Sequence, residues 1–115
     1  SDKLVLRYAL RNLGRLTNRT HKLEFLQGEI HKELEKDPGL VCSVLGDEFL
    51  KTKVLIETCL EYGVIDKQDS KFYTLDSEPL SGGDSPTFEV AARYLASNLG
   101  QELRLTLEAK LKHNL

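Results

Sequence analysis

The chain has 115 residues, of which 30% are charged and 40% apolar, and its formal net charge is −2. This balance is typical of one water-soluble globular domain, and it argues against a surface covered with nucleic-acid-binding cations. No apolar run approaches the roughly 18 residues of a membrane span, and no signal-peptide pattern follows the N-terminal charges. We therefore expect no membrane partner.

The cysteines and histidines do not predict a metal site or a disulfide scaffold. Cys42 and Cys59 are the only cysteines, and Cys59 lies within an apolar helical pattern, which favours a buried thiol. This usage fits a cytoplasmic, reducing compartment. The histidines, His21, His31 and His113, do not have the spacing of metal ligands, so we expect no metal and no other cofactor.

The spacing of leucines predicts two helices in the first third of the chain. The first, from about residue 3 to 17, has apolar residues at intervals of three and four. The second begins after a Thr20 cap and ends where Pro38 cannot continue the helix. The short apolar segment 40–45 could form a strand or a buried turn, and its pattern does not decide between them.

The middle of the chain predicts a helix followed by a β-hairpin. Asp47 is a good N-cap for the third helix, which should end before Gly63, a natural C′ residue. Residues 64–65 and 72–75 have the composition of strands, and the polar residues 67–70 would form the turn between them.

Two further helices follow a loop rich in glycine, serine and proline. Ser85 and Pro86 suit the N-cap and first position of a fourth helix, and a last helix should begin at Gln101. The segment Ser81-Gly82-Gly83-Asp84-Ser85 lacks the Gly-Lys-Ser/Thr ending of a phosphate-binding loop. We therefore interpret it as a turn that leads into a capped helix.

The predicted hairpin has an aromatic pair and a basic tip. Strand alternation sends Phe72 and Tyr73 to opposite faces, so we expect Phe72 to be buried and Tyr73 to be partly exposed. Lys67 and Lys71 flank the turn and would present two cations to a DNA phosphate. The alternative is an ordinary polar turn, because Asp69 and other nearby carboxylates balance these charges.

The N-terminal segment contains a basic strip at regular spacing, followed by one lysine: Arg7, Arg11, Arg15, Arg19 and Lys22. On a helix, positions four apart lie on one broad face. Residues 1–22 contain six basic residues and one acidic residue. A row of guanidinium groups can follow phosphates. The same row could be a solvated helix face, or could pair with acidic residues of a neighbouring subunit, and the spacing leaves all three interpretations open.

No pattern in the chain predicts catalysis. No serine, cysteine or threonine has an adjacent histidine that would act as its base. The second predicted helix mixes glutamates and lysines, as on a helix exterior, whereas a catalytic carboxylate pair needs an apolar cleft. We therefore expect no enzymatic activity from this chain.

Residues 53–112 combine several features in a fixed order. Gly63-Val64-Ile65-Asp66-Lys67 enters a strand, the aromatic pair follows, Glu78-Pro79-Leu80-Ser81-Gly82-Gly83 forms a turn, and a charge-rich helix closes the segment. This order resembles the carboxy-terminal lobe of bacterial and phage RecA-type recombinases. That lobe has a Lys/Gly-Ile-Ile/Val-Glu-Lys strand entry, a Trp-Tyr or Trp-Phe pair and a Glu-Lys-Ile-Gly-Gln-Gly turn.

The chain also departs from that family. Asp84 stands where the family commonly has a basic residue thought to help gather duplex DNA, and Ser70-Lys71-Phe72 replaces Gly-Ala-Trp. The ATPase core is absent, and residues 1–45 have no counterpart. The resemblance implies an accessory lobe that handles duplex or single-stranded DNA, and it would make the chain a fragment of an ATP-dependent recombinase.

These patterns predict a single α+β domain over residues 1–115. It should be mostly helical, with about five helices and a small antiparallel hairpin sheet, winged-helix-like or similar to the recombinase lobe. Residues 1–45 would be a helical N-terminal part, and 46–115 a helix-hairpin-helix lobe. The predicted core contains Leu10, Leu13, Leu26, Ile30, Leu55, Cys59, Ile65, Phe72, Phe88 and Leu95.

The leading functional hypothesis is a non-catalytic DNA-handling domain of a recombination, repair or replication protein. It would bind DNA weakly through phosphates, using the basic strip together with Lys67 and Lys71. The alternative is a protein-interaction adaptor whose leucine-rich first helix docks on other protein subunits. Salt dependence separates the two hypotheses, because apolar docking does not weaken steeply with salt.

Overall fold

Six α-helices and one antiparallel hairpin form the secondary structure of residues 2–115, the part of the chain that the computed structural model describes. In chain order they are α1 (Asp2–Asn12), α2 (Leu23–Lys36), α3 (Pro38–Leu45), α4 (Leu50–Glu61), β1 (Ile65–Gln68), β2 (Lys71–Thr74), α5 (Phe88–Ala96) and α6 (Gln101–Asn114). The predicted α+β, mostly helical class is confirmed, with one helix more than expected. The winged-helix detail stays a prediction.

The chain folds as two compact units that divide between Leu50 and Lys51. The first contains α1, α2 and α3, which pack on one another. Its core is a cluster of buried apolar side chains from α1 and α2, namely Ala9, Leu10, Leu26 and Ile30. The leucine stripe that predicted α1 and α2 is therefore the stripe that joins them. The prediction of a single domain stays a prediction.

The first helix is shorter than predicted, because α1 ends at Asn12 and not near residue 17. Gly14 has a φ of +84°, and Arg15 N–H donates to the Leu10 carbonyl at 2.9 Å. A glycine in the left-handed region satisfies the last carbonyls of a helix and ends it. Arg15 and the residues after it consequently leave the helix axis, which the four-residue spacing could not indicate.

The segment after α2 is helical, and was expected to be a strand or a buried turn. Asp37 caps α3 by accepting a hydrogen bond from Leu40 N–H at 3.1 Å, and Pro38 occupies the start of the helix. Proline is suited to this position because the first helical N–H groups have no partner within the helix. The same two residues that end α2 therefore begin α3.

The second unit contains α4, the hairpin, α5 and α6. The helix α4 ends at Glu61, before Gly63 as predicted; the φ of Gly63 is +72°, and Val64 N–H donates to the Cys59 carbonyl at 2.8 Å. Its start was predicted at Asp47 but lies at Leu50, because the Asp47 carboxylate accepts from Phe49 N–H in a local turn. The chain then enters the hairpin directly.

The fourth predicted helix begins two residues later than expected, at Phe88. Thr87 caps it by accepting from Val90 N–H, whereas Pro86 is held in extended backbone beside β2. Phe72 N–H donates to the Pro86 carbonyl at 2.9 Å, and Leu80 N–H donates to the Phe72 carbonyl. These bonds cover the outer edge of β2 with the loop and keep Pro86 out of the helix.

Most of the predicted core is buried. Leu10, Leu26, Ile30, Leu55, Cys59, Ile65, Phe72 and Leu95 are enclosed, while Leu13 and Phe88 are half-buried. The Phe72 and Phe88 rings lie 5.7 Å apart between centroids, in a tilted arrangement that aromatic pairs favour. Among the described residues, no helix has the length and apolar character needed to cross a membrane.

Candidate nucleic-acid interface

The basic strip predicted from the sequence does not form one exposed face. Arg7 is only 2% exposed, and it lies in a run of four buried residues with Tyr8, Ala9 and Leu10. Arg11 is half-buried. The expectation that Arg7 would be exposed for phosphate contact is therefore wrong, because this part of α1 is enclosed on more than its leucine side.

Arg15 is held by two carboxylates of α2. Its Nη1 lies 2.7 Å from Glu33 Oε1, and its Nη2 lies 2.5 Å from Glu29 Oε2. Burial raises the pKa of Glu29, but hydrogen bonding and charge from Arg15, helped by Lys32, outweigh burial and lower that pKa overall. The Glu33 and Glu29 hydrogen bonds raise the pKa of Arg15. The Arg15 guanidinium therefore holds the segment after α1 against α2.

The remaining cations of the strip lie after α1. Arg19 and Lys22 are exposed, and Lys3 Nζ donates to the Arg19 carbonyl at 2.9 Å. Residues 1–50 contain eight basic and eight acidic residues, so the first unit has no net charge. Its N-terminal excess of cations is compensated by carboxylates later in the same unit, and Arg15 forms ion pairs with two of them. Pairing with a neighbouring subunit stays a prediction.

The leucine stripe of the adaptor hypothesis is also used inside the first unit. Leu10 is buried against Leu26 and Ile30, and Leu6 and Leu13 pack on the same cluster. The first helix consequently does not present a leucine face for docking. Arg7 and Arg15 of the cation row and Leu10 of the leucine stripe are therefore engaged within the first unit, while the two N-terminal hypotheses stay predictions.

The third predicted helix does not offer a base-reading face. Thr52 and Lys53, two of its three early polar residues, are buried in α4. Thr52 Oγ1 donates to the Ala92 carbonyl at 2.8 Å, and Lys53 Nζ lies 2.8 Å from Glu89 Oε1. These contacts tie α4 to α5, and a buried lysine paired in this way was not foreseen from the sequence. The signal for it was a cation within an otherwise apolar helix face.

The hairpin turn is tight and well defined. Gln68 pairs with Lys71, so the loop consists of only Asp69 and Ser70, whose φ angles are +52° and +65°. Positive φ at both central residues is the requirement of a type I′ turn, whose twist matches that of the strands. The turn is shorter than the predicted 67–70 because both strands continue to its edge.

Lys67 and Lys71 are both exposed but project from opposite faces of the hairpin. Lys67 lies directly opposite Phe72, and its Nζ stands 5.7 Å from the centre of that ring. Lys71 is adjacent to Phe72 in β2, and alternation sends it to the other face, with Tyr73. The two cations therefore stand on either side of the tip.

Asp66, the carboxylate nearest these lysines in β1, makes two hydrogen bonds of its own. It accepts from Lys67 N–H at 2.9 Å and from Gln68 Nε2 at 3.0 Å. Because Lys67 lies at a position that does not bond to β2, this carboxylate covers an N–H on the outer edge of β1. This hydrogen bond makes the outer edge of β1 less able to pair with another strand.

The glycine-rich loop is a structural turn and not a phosphate cradle. Ser81 Oγ donates to the Asp84 carbonyl within the loop. Gly82 has a φ of +67°, and a Cβ there would lie 2.6 Å from Tyr94 Cε1. Leu80, the aliphatic residue of the turn that carries the recombinase resemblance, is fully buried.

Among residues 2–115, no group of three or more histidine, cysteine or acidic side chains is placed to hold a metal ion. The fold places Lys67 and Lys71, two exposed cations of the predicted interface, on either side of one turn. Comparison with protein-family models, with curated proteins and with solved structures found no match for this chain. The resemblance to the recombinase lobe stays a prediction.

Proposed function

We propose that the chain is a non-catalytic DNA-handling domain that meets DNA phosphates at the hairpin tip. The observation that carries this proposal is the exposure of Lys67 and Lys71 on either side of a two-residue turn. The basic strip contributes less than its charge suggested, because Arg7 is buried and Arg15 is paired.

The charge of the second unit predicts weak binding. Residues 51–115 contain eight basic and ten acidic residues, so its long-range field does not attract DNA. Binding would instead depend on short-range contacts with Lys67 and Lys71, and the negative charge of Asp66 beside them would weaken it. The resemblance to the recombinase lobe supports the same proposal, with the chain as an accessory part of a cytoplasmic recombination or repair protein.

The test is the salt dependence of DNA affinity. If both lysines meet phosphates, Lys67→Ala with Lys71→Ala should reduce the slope of log affinity against log salt by about one to two units. A matched control is Lys110→Ala with Lys112→Ala, which removes two exposed lysines from α6. An equal change in both double variants, or none in either, would contradict a contact at the hairpin.

A protein-interaction adaptor is the second candidate function. It is supported by large apolar side chains in solvent outside the first helix, with Leu16 96% exposed and Leu99 85% exposed. Isolated exposed leucines are common on protein surfaces, but exposed fractions this high justify a test of this candidate function. Leu16→Ser and Leu99→Ser would weaken partner binding without altering its salt dependence if this candidate is correct.

A further inference from the structure

One face of the hairpin combines an aromatic ring, a cation and an amide. The strand register places Asp66 opposite Tyr73 and Gln68 opposite Lys71, and directly opposed residues share a face. The opposite face carries Ile65 and Phe72, which are buried. The face with Tyr73 is therefore the one directed away from the core.

The contacts that hold Tyr73 in the hairpin are made by its backbone and not by its hydroxyl. Its main chain pairs with Pro79 on one side and Asp66 on the other, and its side chain is half-buried. Within the described chain the hydroxyl makes no hydrogen bond, and the ring stacks on no other aromatic side chain. Leu75, two residues further along, is 65% exposed.

The charge beside Tyr73 suits a nucleic acid backbone. Lys71 lies two residues away on the same face, is exposed, and forms no ion pair among residues 2–115. Asp66, the carboxylate opposite Tyr73, keeps its negative charge while it accepts two hydrogen bonds, so Lys71 is the group that offsets it on this face. A base stacked on the ring would therefore place its own phosphate within reach of a cation.

We infer that Tyr73 is a base-stacking residue and that the DNA bound at the hairpin is single-stranded. This inference rests on the proposed function. In a duplex the faces of the bases are stacked on their neighbours, so an aromatic side chain can reach them only in an unstacked strand. An aromatic ring with a neighbouring cation is the arrangement that single-strand-binding surfaces use.

The test compares ligands that share a backbone and differ in bases. Affinity of the full chain is measured by fluorescence anisotropy for a labelled thymidine oligomer of about 16 nucleotides, an abasic oligomer of equal length and a duplex of equal length. The variants are Tyr73→Leu, which keeps an apolar side chain, and Tyr73→Phe, which keeps the ring. Thermal unfolding confirms that each variant is folded.

The wild-type chain should bind the thymidine oligomer at least about fivefold more tightly than the abasic one. Tyr73→Leu should remove this preference, and Tyr73→Phe should retain it. The inference is overturned if the folded Tyr73→Leu variant keeps the preference, or if the duplex binds more tightly than the single strand. Binding that depends on Lys67 and Lys71 but not on Tyr73 would overturn this inference alone, whereas no binding to any ligand would also overturn the proposed function.

Discussion

Arg15 Nη1 lies 2.7 Å from Glu33 Oε1, and this contact ties the irregular segment after α1 to the middle of α2. Glu33 and Glu29 are one turn apart on α2, a spacing at which like charges repel. Arg15 binds both carboxylates at once, so it offsets that repulsion while it anchors the segment. A residue nominated for phosphate contact is thus part of the first unit's own structure.

The first prediction is that Arg15→Gln lowers the stability of the first unit. The substitution leaves two partly buried carboxylates without their guanidinium, and unpaired polar groups at such positions are unfavourable. The loss should be smaller than that of Leu26→Ala in the core, for which about 2–5 kcal/mol is expected. Urea unfolding followed by circular dichroism measures both. Lys22→Gln, a control at an exposed position, should change the free energy of unfolding little. Similar losses for Arg15→Gln and Lys22→Gln would show that the ion pairs of Arg15 do not stabilise the unit.

The second prediction concerns pH. The pKa of Glu29 is lowered in the folded chain, since Arg15 and Lys32 outweigh the opposing effect of burial. A lowered pKa stabilises the fold above the ordinary glutamate pKa of about 4.3, and this stabilisation disappears as pH falls through the lowered value. The stability difference between wild type and Arg15→Gln should therefore be largest near neutral pH and shrink on acidification. A difference that is constant down to about pH 3 would show that the ion pairs do not cause it.

The third prediction is that Arg7→Glu destabilises the chain. Exposed charge changes rarely alter stability by more than about 0.5 kcal/mol. Arg7 is 2% exposed, so a carboxylate in its place would be a buried charge, and the loss should exceed that value clearly. Thermal unfolding measures this, with Arg19→Glu at an exposed position as the comparison. Equal midpoints for the two variants would show that Arg7 behaves as a surface residue.

The sequence predicted the helices and core better than their ends. Leucine spacing identified α1 and α2 because their packing uses that stripe, and Gly63 was a reliable stop because its φ is positive. The predicted helix ends were wrong where one residue type is compatible with more than one position in or beside a helix. Gly14 lies within the predicted first helix but ends α1, and Pro38 was interpreted as a stop although it also starts α3.

The candidate site was less predictable, because it depends on contacts between distant residues. The four-residue spacing of arginines describes one face only while the helix continues, and it does not show that α2 brings Glu29 and Glu33 to Arg15. The start of α5 was displaced for the same reason, since a bond from Phe72 N–H holds the Pro86 carbonyl. Local patterns do not contain these long-range contacts.

The fourth prediction tests the aromatic core of the second unit. Phe72 was expected to be buried and is 4% exposed, beside the Phe88 ring, so this expectation is confirmed. Phe72→Ala should cost about 3–5 kcal/mol, a large fraction of the stability of a small domain. Phe25→Ala is the matched control, because Phe25 is 47% exposed in α2. If both substitutions have equal effects on urea unfolding, the side chain of Phe72 does not anchor the hairpin.

The fifth prediction distinguishes the two cysteines by their reactivity. Burial, with a smaller effect from the charge of Glu108, raises the pKa of the Cys59 thiol to about 12, whereas Cys42 is exposed in α3. Because the thiolate is the reactive form, Cys59 should be almost inert near neutral pH while the chain is folded. A disulfide-exchange reagent should therefore modify one thiol per folded chain rapidly and the second only in denaturant. Cys42→Ser should remove the rapid phase, and a rapid phase that survives this substitution would place Cys59 in contact with solvent.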